Sequence, residues 1–290
     1  MSDHGSPTVR RRRLAAELHR LREEARLTGD EVADHMGWSS SKVSRIENAR
    51  TGMRLADLRR LLDLYGVDSA ACDELLALAR DAEQKGWWEA YSGDWPEGFS
   101  EFIGMEAEAE VIMNWEPQVV PGLLQTEGYA REVIASWQLF TTTPPPAIER
   151  RVRARLKRQD VLSGTSLRQL HVIVDESVLL RRYGDSSVMR AQLDRLIQVS
   201  TSPNVTLQIF PLNGEHPLAT GAFTLFRFAQ VHGLTVPNVV YIEQMTDSQL
   251  IKEDTATYYH QIAFEVLRDR SLEPDKSRDL IAEVSREQWA

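Results

Sequence analysis

Apolar positions in residues 10–82 recur at helical spacing and predict five short helices. One face of the first helix carries apolar residues at i, i+4, i+7 and i+11: Leu14, Leu18, Leu21 and Ala25. The fourth and fifth helices are predicted from leucine-rich runs, and Gly66 ends the fourth. Five short helices in one stretch predict a compact all-α domain.

The second and third helices are joined within residues 28–48, and their ends are well marked. Thr28 and Glu31 have capping-box spacing at the start of the second helix. Gly37 can take the left-handed conformation that ends it, and Ser39 can cap the third helix. The inward positions are small or aliphatic: Val32, Ala33, Met36, Val43 and Ile46. This pattern leaves the polar side of the third helix facing outward.

From residue 86 onward the pattern is mixed. Helices are predicted over residues 101–114, 127–136, 149–162, 187–200, 255–268 and 277–287. Strands are predicted over residues 171–174, 205–210, 222–228 and 239–242. Residues 115–124 are predicted as a turn-rich segment and residues 141–146 as a proline-stiffened loop. The fold class expected for the whole chain is therefore α+β, with a sheet drawn from residues 165–245.

Length and composition agree with this division. A chain of 290 residues fits two domains, which we place at residues 1–83 and 84–290. No run approaches ~18 consecutive apolar residues, so no membrane span is expected. The polar N-terminus does not resemble a secretory signal, and a single cysteine, Cys72, allows no internal disulfide. We therefore expect a cytoplasmic, nucleoid-associated protein.

The net charge of −9 is unevenly distributed. Residues 1–60 carry a net charge of +4, whereas residues 61–290 carry −13. A basic head on an acidic body indicates that the head meets a polyanion. The four arginines at residues 10–13 have two open interpretations, an arm on the DNA backbone or a frayed, solvated start.

The third helix offers the residue types that read DNA. An α-helix fits the major groove, and residues near its start reach base edges. Ile46, Glu47 and Asn48 close the segment, which resembles the helix-turn-helix of the phage-repressor-like regulators (Cro/C1, XRE type). The resemblance covers residues 10–80 and implies that bases are read by Ser40, Ser41 and Arg45, with Ser44 close by.

Arg45 is the strongest candidate for direct readout, because arginine pairs well with guanine O6 and N7. Lys42 and Arg50 are expected on phosphates, and Thr28 lies where a helix start approaches one. Ser39 completes the predicted DNA-binding set. The sequence departs from the family at Gly29, where a polar residue is usual, and at its serines, where glutamines are usual. Such regulators bind as two-fold dimers, so we expect a homodimer on double-stranded DNA.

The body also resembles a known group. Its motifs are Gly86-Trp87-Trp88, Trp115-Glu116-Pro117 and the run from Val120 to Arg131. They resemble a domain of unknown function in WhiJ-like, antitoxin-like actinobacterial regulators. This resemblance implies transcriptional control, and a small partner protein encoded nearby.

Two groups of body residues are candidates for binding a partner or a small-molecule effector. Trp87, Trp88 and Trp115 could line an apolar pocket or fill the core. The basic helix around Arg151, Arg155 and Arg158 could be a solvated face, could bind an acidic partner, could form internal ion pairs or could add phosphate contacts.

No catalytic, metal or cofactor motif is found. The seven histidines form no zinc pattern, and phosphate-binding and nucleophile motifs are missing. Asp175-Glu176 is interpreted as a structural turn rather than a catalytic pair, and Cys72 as a packing residue. Three functions remain: a DNA-binding regulator whose body dimerises and receives a signal, an antitoxin-like protein that holds a partner, and an enzyme fused to a DNA-targeting head. The first is favoured, and no enzyme activity is expected.

Overall fold

A computed structural model describes residues 7–83, 86–94, 99–136, 138, 140, 144–217, 220–230, 236–244 and 248–289. The chain divides into two compact units. The first comprises Met1–Glu89 and Phe228–Val236, and the second comprises Ala90–Arg227 and Pro237–Ala290. The α+β fold class is confirmed, with helices alone at the N-terminus and a mixed sheet in the body. The boundary between residues 83 and 84 stays a prediction.

The N-terminal region contains the five helices that the periodicity predicts. They are α1 Pro7–Glu24, α2 Gly29–Met36, α3 Ser40–Glu47, α4 Leu55–Leu64 and α5 Ser69–Ala82. Their shared core includes Leu18, Val32 and Leu58, none of which has exposed surface. Cys72 lies in the same core as a free, buried thiol, which agrees with a packing role. Burial of these apolar faces, rather than helix propensity, stabilises such short helices.

The second unit is built on a six-stranded sheet of order β3-β2-β1-β4-β5-β6. The strands are β1 Val111–Glu116, β2 Gln169–Asp175, β3 Val205–Phe210, β4 Phe223–Arg227, β5 Val239–Glu243 and β6 Ser248–Ile251. β1, β2 and β3 are parallel, whereas β1 to β4, β4 to β5 and β5 to β6 are antiparallel. The helices of this unit are α6 Phe99–Glu108, α7 Glu127–Ser136, α8 Pro145–Arg158, α9 Ser177–Leu180, α10 Ser186–Val199, α11 Asp254–Arg270 and α12 Pro274–Gln288.

The two faces of the sheet have different cover. Trp115 points to the face that packs against α11, in a cluster with Ile173 and Phe264. Asn114 and Glu116 alternate to the other face, where they line a cavity beneath α6 and α8. The strand therefore separates a dry packing face from a polar cavity face.

The predicted helix over residues 101–114 is wrong in its last part. The helix ends at Glu108, and residues 111–116 form β1, a central strand of the sheet. The apolar run Val111–Met113 fits a buried strand as well as a helix, and pairing on both sides decides for the strand. The sheet is also wider than residues 165–245, because it includes β1 and β6.

The predicted proline loop is partly wrong. Residues 141–143 lie outside the described residues, but Pro144 caps α8 and Pro145 is its first residue. Proline is well suited to a first turn because its missing N–H would have no helical partner there. The prolines therefore begin a helix instead of only stopping one.

Candidate functional site

The turn between α2 and α3 is fixed by local hydrogen bonds. Thr28 and Glu31 form a reciprocal capping box, in which the Thr28 N–H donates to Glu31 Oε2 at 2.8 Å. Gly37 ends α2 with φ +67°, a left-handed conformation that other residues rarely adopt. Ser39 caps α3 by accepting the Lys42 N–H at 3.3 Å. These three predictions are confirmed, and they set the direction in which α3 leaves the turn.

The outward face of α3 is polar and exposed. Val43 and Ile46 are each 4% exposed and face the core, as predicted. Ser40, Ser41, Ser44 and Arg45 are all exposed. All three serines already have partners: Ser40 Oγ donates to Asp30, Ser41 Oγ lies 3.0 Å from Ser39 Oγ, and Ser44 Oγ accepts from Asn48 Nδ2 at 3.5 Å. The serine hydroxyls therefore make local bonds that a DNA contact would have to exchange.

The three basic residues near α3 differ in the contacts that their side chains make within the chain. Arg45 and Arg50 are exposed, and neither side chain makes an ion pair or hydrogen bond within the described part of the chain. Lys42 Nζ lies 3.8 Å from the centroid of the Trp38 ring and 4.0 Å from Asp57 Oδ2. The two arginines are therefore uncommitted cations, whereas Lys42 is held beside an aromatic ring and a carboxylate.

Glu47 anchors the end of α3 to α1, a role that the sequence analysis missed. Its carboxylate accepts from Arg22 Nε at 2.7 Å and from Arg22 Nη2 at 3.1 Å, and His19 Nδ1 lies 2.8 Å away. Burial alone would raise the pKa of Glu47, but the bonds and charges of Arg22 and His19 prevail and lower it. The nearest signal in the sequence is an acid at the end of a helix whose other residues are basic or neutral.

Residues 10–13 form neither an arm nor a frayed start, because all four arginines lie inside α1. Contact of these arginines with the DNA backbone stays a prediction. Arg13 is 6% exposed, and its Nη2 donates to the carbonyl oxygen of Ala229 at 3.0 Å within the first unit. Arg10 lies 3.8 Å from Asp81 on α5. Arg10 and Arg13 therefore bond to residues of their own unit.

In the second unit, α8 turns its arginines in different directions. Arg158 is buried and forms a bidentate pair with Glu106, at 2.7 and 2.8 Å. Arg155 lines the cavity, and Arg151 is half-buried with no acceptor for its Nε among the described residues. Only part of the predicted basic face is therefore open to a partner protein, because Arg158 is inaccessible.

Comparison with known protein families identifies both parts of the chain. Residues 13–75 match a helix-turn-helix domain. Residues 99–283 match a domain of unknown function, DUF5753, which covers more than half of the chain. The chain belongs to the DUF5753 family. No curated protein and no solved structure matches it.

Trp88 and Trp115 are both buried side chains, each within its own unit. Trp115 has no exposed surface and packs edge-on against Phe210, with ring centroids 6.0 Å apart, so contact with a partner is excluded for it. Trp88 is 4% exposed and packs against Trp87, with centroids 5.9 Å apart. We correct the predicted ligand role of Trp115 to packing in the sheet core.

The acidic pair at the end of β2 has structural bonds. Asp175 accepts from the Ser177 N–H at 2.9 Å, and Glu176 Oε2 accepts from the Leu212 N–H at 2.8 Å. Both carboxylates thus hold the backbone of this turn. Across the described ranges, no three His, Cys, Asp or Glu side chains are grouped as a metal site would need. Within the same ranges, none of the helices has the length and apolarity to cross a membrane.

Proposed function

We propose that this protein is a sequence-specific transcriptional regulator that binds operator DNA as a homodimer, with α3 in the major groove. One observation carries the proposal: the helix-turn-helix domain presents an exposed α3 on which Arg45 has no partner within the described residues. An exposed cation without an ion pair can bind DNA without first breaking a contact. We place the protein in the cytoplasm, at the nucleoid.

The role that we propose for each residue in DNA binding follows from its exposure and from the bonds it already makes. Arg45 reads a guanine, while Ser41 and Ser44 contact bases or their sugars at short range. Arg50 and Lys42 bind phosphates, and Lys42 must leave Asp57 to do so. The start of α2 at Thr28 offers backbone N–H groups to a further phosphate. Ser39 and Ser40 stabilise the start of α3 through their caps and bonds.

The DUF5753 domain is proposed to dimerise and to receive a signal, without catalysis. The finer assignments, to XRE-type regulators and to the WhiJ-like group, belong to the same proposal. The partner-holding alternative has less support, because Arg158 is buried against Glu106 and Trp115 lies in the core. A small effector needs no such surface, which favours signal reception.

The test is to select bound sequences from random DNA with the full chain and then to compare variants on the selected site. Arg45→Ala should lose about 1–3 kcal/mol of binding free energy and relax preference at one base pair. Lys42→Ala should weaken all sequences alike and reduce the slope of affinity against salt by about one.

Arg80→Ala is the matched control, because Arg80 is an exposed arginine near the end of α5, away from α3. It should bind as the parent chain does. An Arg45→Ala chain that keeps the full base preference would refute the assignment of α3 as the reading helix. Failure of the parent chain to enrich any sequence would refute the proposed function itself.

A further inference from the structure

The cavity of the second unit is lined by a group of charged side chains that packing alone does not explain. It has a volume of about 90 Å³ and lies between the ends of β1 and β5 and the helices α6 and α8. Its charged lining comes from Glu106, Glu116, Arg155, Arg158 and Glu243. Its apolar lining includes Phe99, Phe102, Ile112 and Leu123. A concave site with apolar walls and a few convergent polar groups is typical of small-molecule sites.

Of the two arginines in the cavity, Arg158 already has a carboxylate partner in the chain. Arg158 and Glu106 are each 5% exposed and share two parallel hydrogen bonds. The Arg158 guanidinium also lies 4.9 Å from the ring centroid of Phe102 and 5.2 Å from that of Phe99. Gly122 permits this placement, because a Cβ there would lie 3.3 Å from Arg158 Nη1. Arg158 is thus neutralised and fixed, and it forms a wall of the cavity.

Arg155 is different, because it forms no ion pair with a described carboxylate. Its Nη1 donates to Gln125 Oε1 at 3.0 Å, and its Nε is buried without an acceptor. The amide of Gln125 is itself oriented by its bond to the carbonyl oxygen of Val120, at 2.7 Å. Burial, with the nearby charge of Arg158, lowers the pKa of Arg155 to about 10, so it is still charged at neutral pH. Its remaining donors are open to an anion, because the carboxylates of Glu243, Glu106 and Glu116 act on its charge without bonding to it.

The same cavity also has two carboxyl groups that are not paired with Arg158. Glu116 lies at the end of β1, and burial and the charge of Glu243 raise its pKa to about 8. Glu243 is exposed at the end of β5. An ammonium group between these two carboxyl groups would be stabilised by both, and would favour ionised Glu116. The cavity therefore has one position for an anion and one for a cation.

We propose that this cavity binds a small zwitterion of the amino-acid class, with its carboxylate on Arg155 and its ammonium group toward Glu116 and Glu243. One water molecule needs about 10–15 Å³ of cavity volume. A cavity of about 90 Å³ therefore holds roughly six to nine non-hydrogen atoms. That size fits an amino acid with a short apolar side chain against Phe102 and Ile112. Binding of the ligand does not depend on the proposed function. Only its role as the signal of the regulator rests on that function.

The test is calorimetry on the full chain without DNA, with L-leucine as the first probe and the other common amino acids after it. L-Leucine, or another member of this set, should bind saturably with a Kd below about 1 mM. For a leucine site, 3-methylbutylamine lacks the carboxylate and should not bind, and 4-methylpentanoate lacks the ammonium group and should bind about tenfold more weakly. This series needs no variant, so it stays decisive even if substitutions in the cavity unfold the chain.

Two variants locate the site. Arg155→Gln should weaken the binding by about tenfold or more, because it removes the charge that holds the carboxylate. Arg153→Gln changes an exposed arginine of the same helix and should bind as the parent chain does. The inference is overturned if no amino acid binds, if the amine and the acid bind as well as the zwitterion, or if a folded Arg155→Gln chain binds like the parent.

DNA binding is measured separately on the selected operator. A chain that binds DNA but no amino acid contradicts the cavity proposal and leaves the proposed function standing. A chain that binds an amino acid but no DNA supports the cavity proposal and contradicts the proposed function. An amino acid that binds the cavity and changes operator affinity by a measurable factor makes it the signal of the regulator.

Discussion

Glu116 lies where β1 ends in the cavity, and its carboxyl group has a raised pKa. Burial and the charge of Glu243 raise this pKa, whereas the charge of Arg155 and the hydrogen bond from the Val119 N–H lower it. A carboxyl group with a pKa near 8 in the folded chain and near 4.3 in the unfolded chain binds its proton more tightly when folded. Its contribution to stability is therefore full below the unfolded pKa and declines as pH rises toward 8.

Glu116→Gln should consequently stabilise the chain at high pH. The amide cannot ionise, so the variant lacks the loss of stability that the parent suffers between about pH 4 and pH 8. We expect a gain of about 4 kcal/mol at pH 8 that shrinks on acidification and vanishes below about pH 4. Urea unfolding at several pH values measures it, with the exposed Glu215→Gln as control. A gain that did not depend on pH would contradict the raised pKa.

Single residues also mark how far the sequence could be interpreted. The caps at Thr28, Gly37 and Ser39 were predictable, because each depends on a residue's own backbone and its near neighbours. Arg155 and Arg158 look alike in the sequence, three positions apart on one helix. Their different surroundings come from Glu106 and Gln125, which are brought to α8 only by the fold. No local pattern contains that information.

At the scale of an element, α3 depends on a long-range contact. A helix of 8 residues is too short to be stable alone, so its packing and its anchors hold it. Glu47 supplies an anchor at its C-terminal end, through Arg22 and His19 of α1. The bonds of Glu47 to α1 therefore help to fix the direction in which the outward face with Arg45 points.

Glu47→Gln should loosen this anchor. The amide retains the shape but loses the charge that Arg22 holds, and we expect about 1–2 kcal/mol lower stability at neutral pH. Because the pKa of Glu47 is lowered in the folded chain, the difference from the parent should shrink as pH falls through that pKa. Thermal unfolding of both chains measures the effect, and Glu83→Gln, exposed at the end of α5, is the control. Equal Tm values would mean that α3 is held by its apolar face alone.

Elements differed in how well they could be predicted. α7 and β3 were predicted with the bounds that the structure shows, because a buried face leaves a clear period in the sequence. β1 was not, because a strand paired on both sides is apolar without alternation and continues directly from α6. The cavity face of the sheet follows from β1, so missing that strand also hid Glu116 as a site residue.

At the scale of the whole molecule, the uneven charge bears on DNA binding. Residues 1–60 carry +4 and the remainder carries −13, so only the head attracts a polyanion. A single helix-turn-helix domain covers one half-site with few phosphate contacts, and an acidic body adds repulsion. We therefore expect tight binding only when two copies bind two half-sites.

A dimer makes a geometric prediction about the operator. Two copies of α3 related by a two-fold axis reach half-sites about one helical turn, or roughly 34 Å, apart. Inserting about 5 bp between the half-sites turns one of them to the opposite side of the duplex and should abolish tight binding. Removing one half-site should leave binding near the non-specific level, with a Kd of about 10⁻⁶ M or weaker.

Gel-shift titrations of the full chain on these sites give the affinities, and light scattering of the complex gives the stoichiometry. A mutated spacer of unchanged length is the control, and it should bind like the selected operator. A chain that binds one half-site as tightly as two, and scatters as a monomer on its DNA, would refute the dimer. Base reading by α3 would survive that result, and all of the specificity would then have to come from a single α3 and its few base contacts.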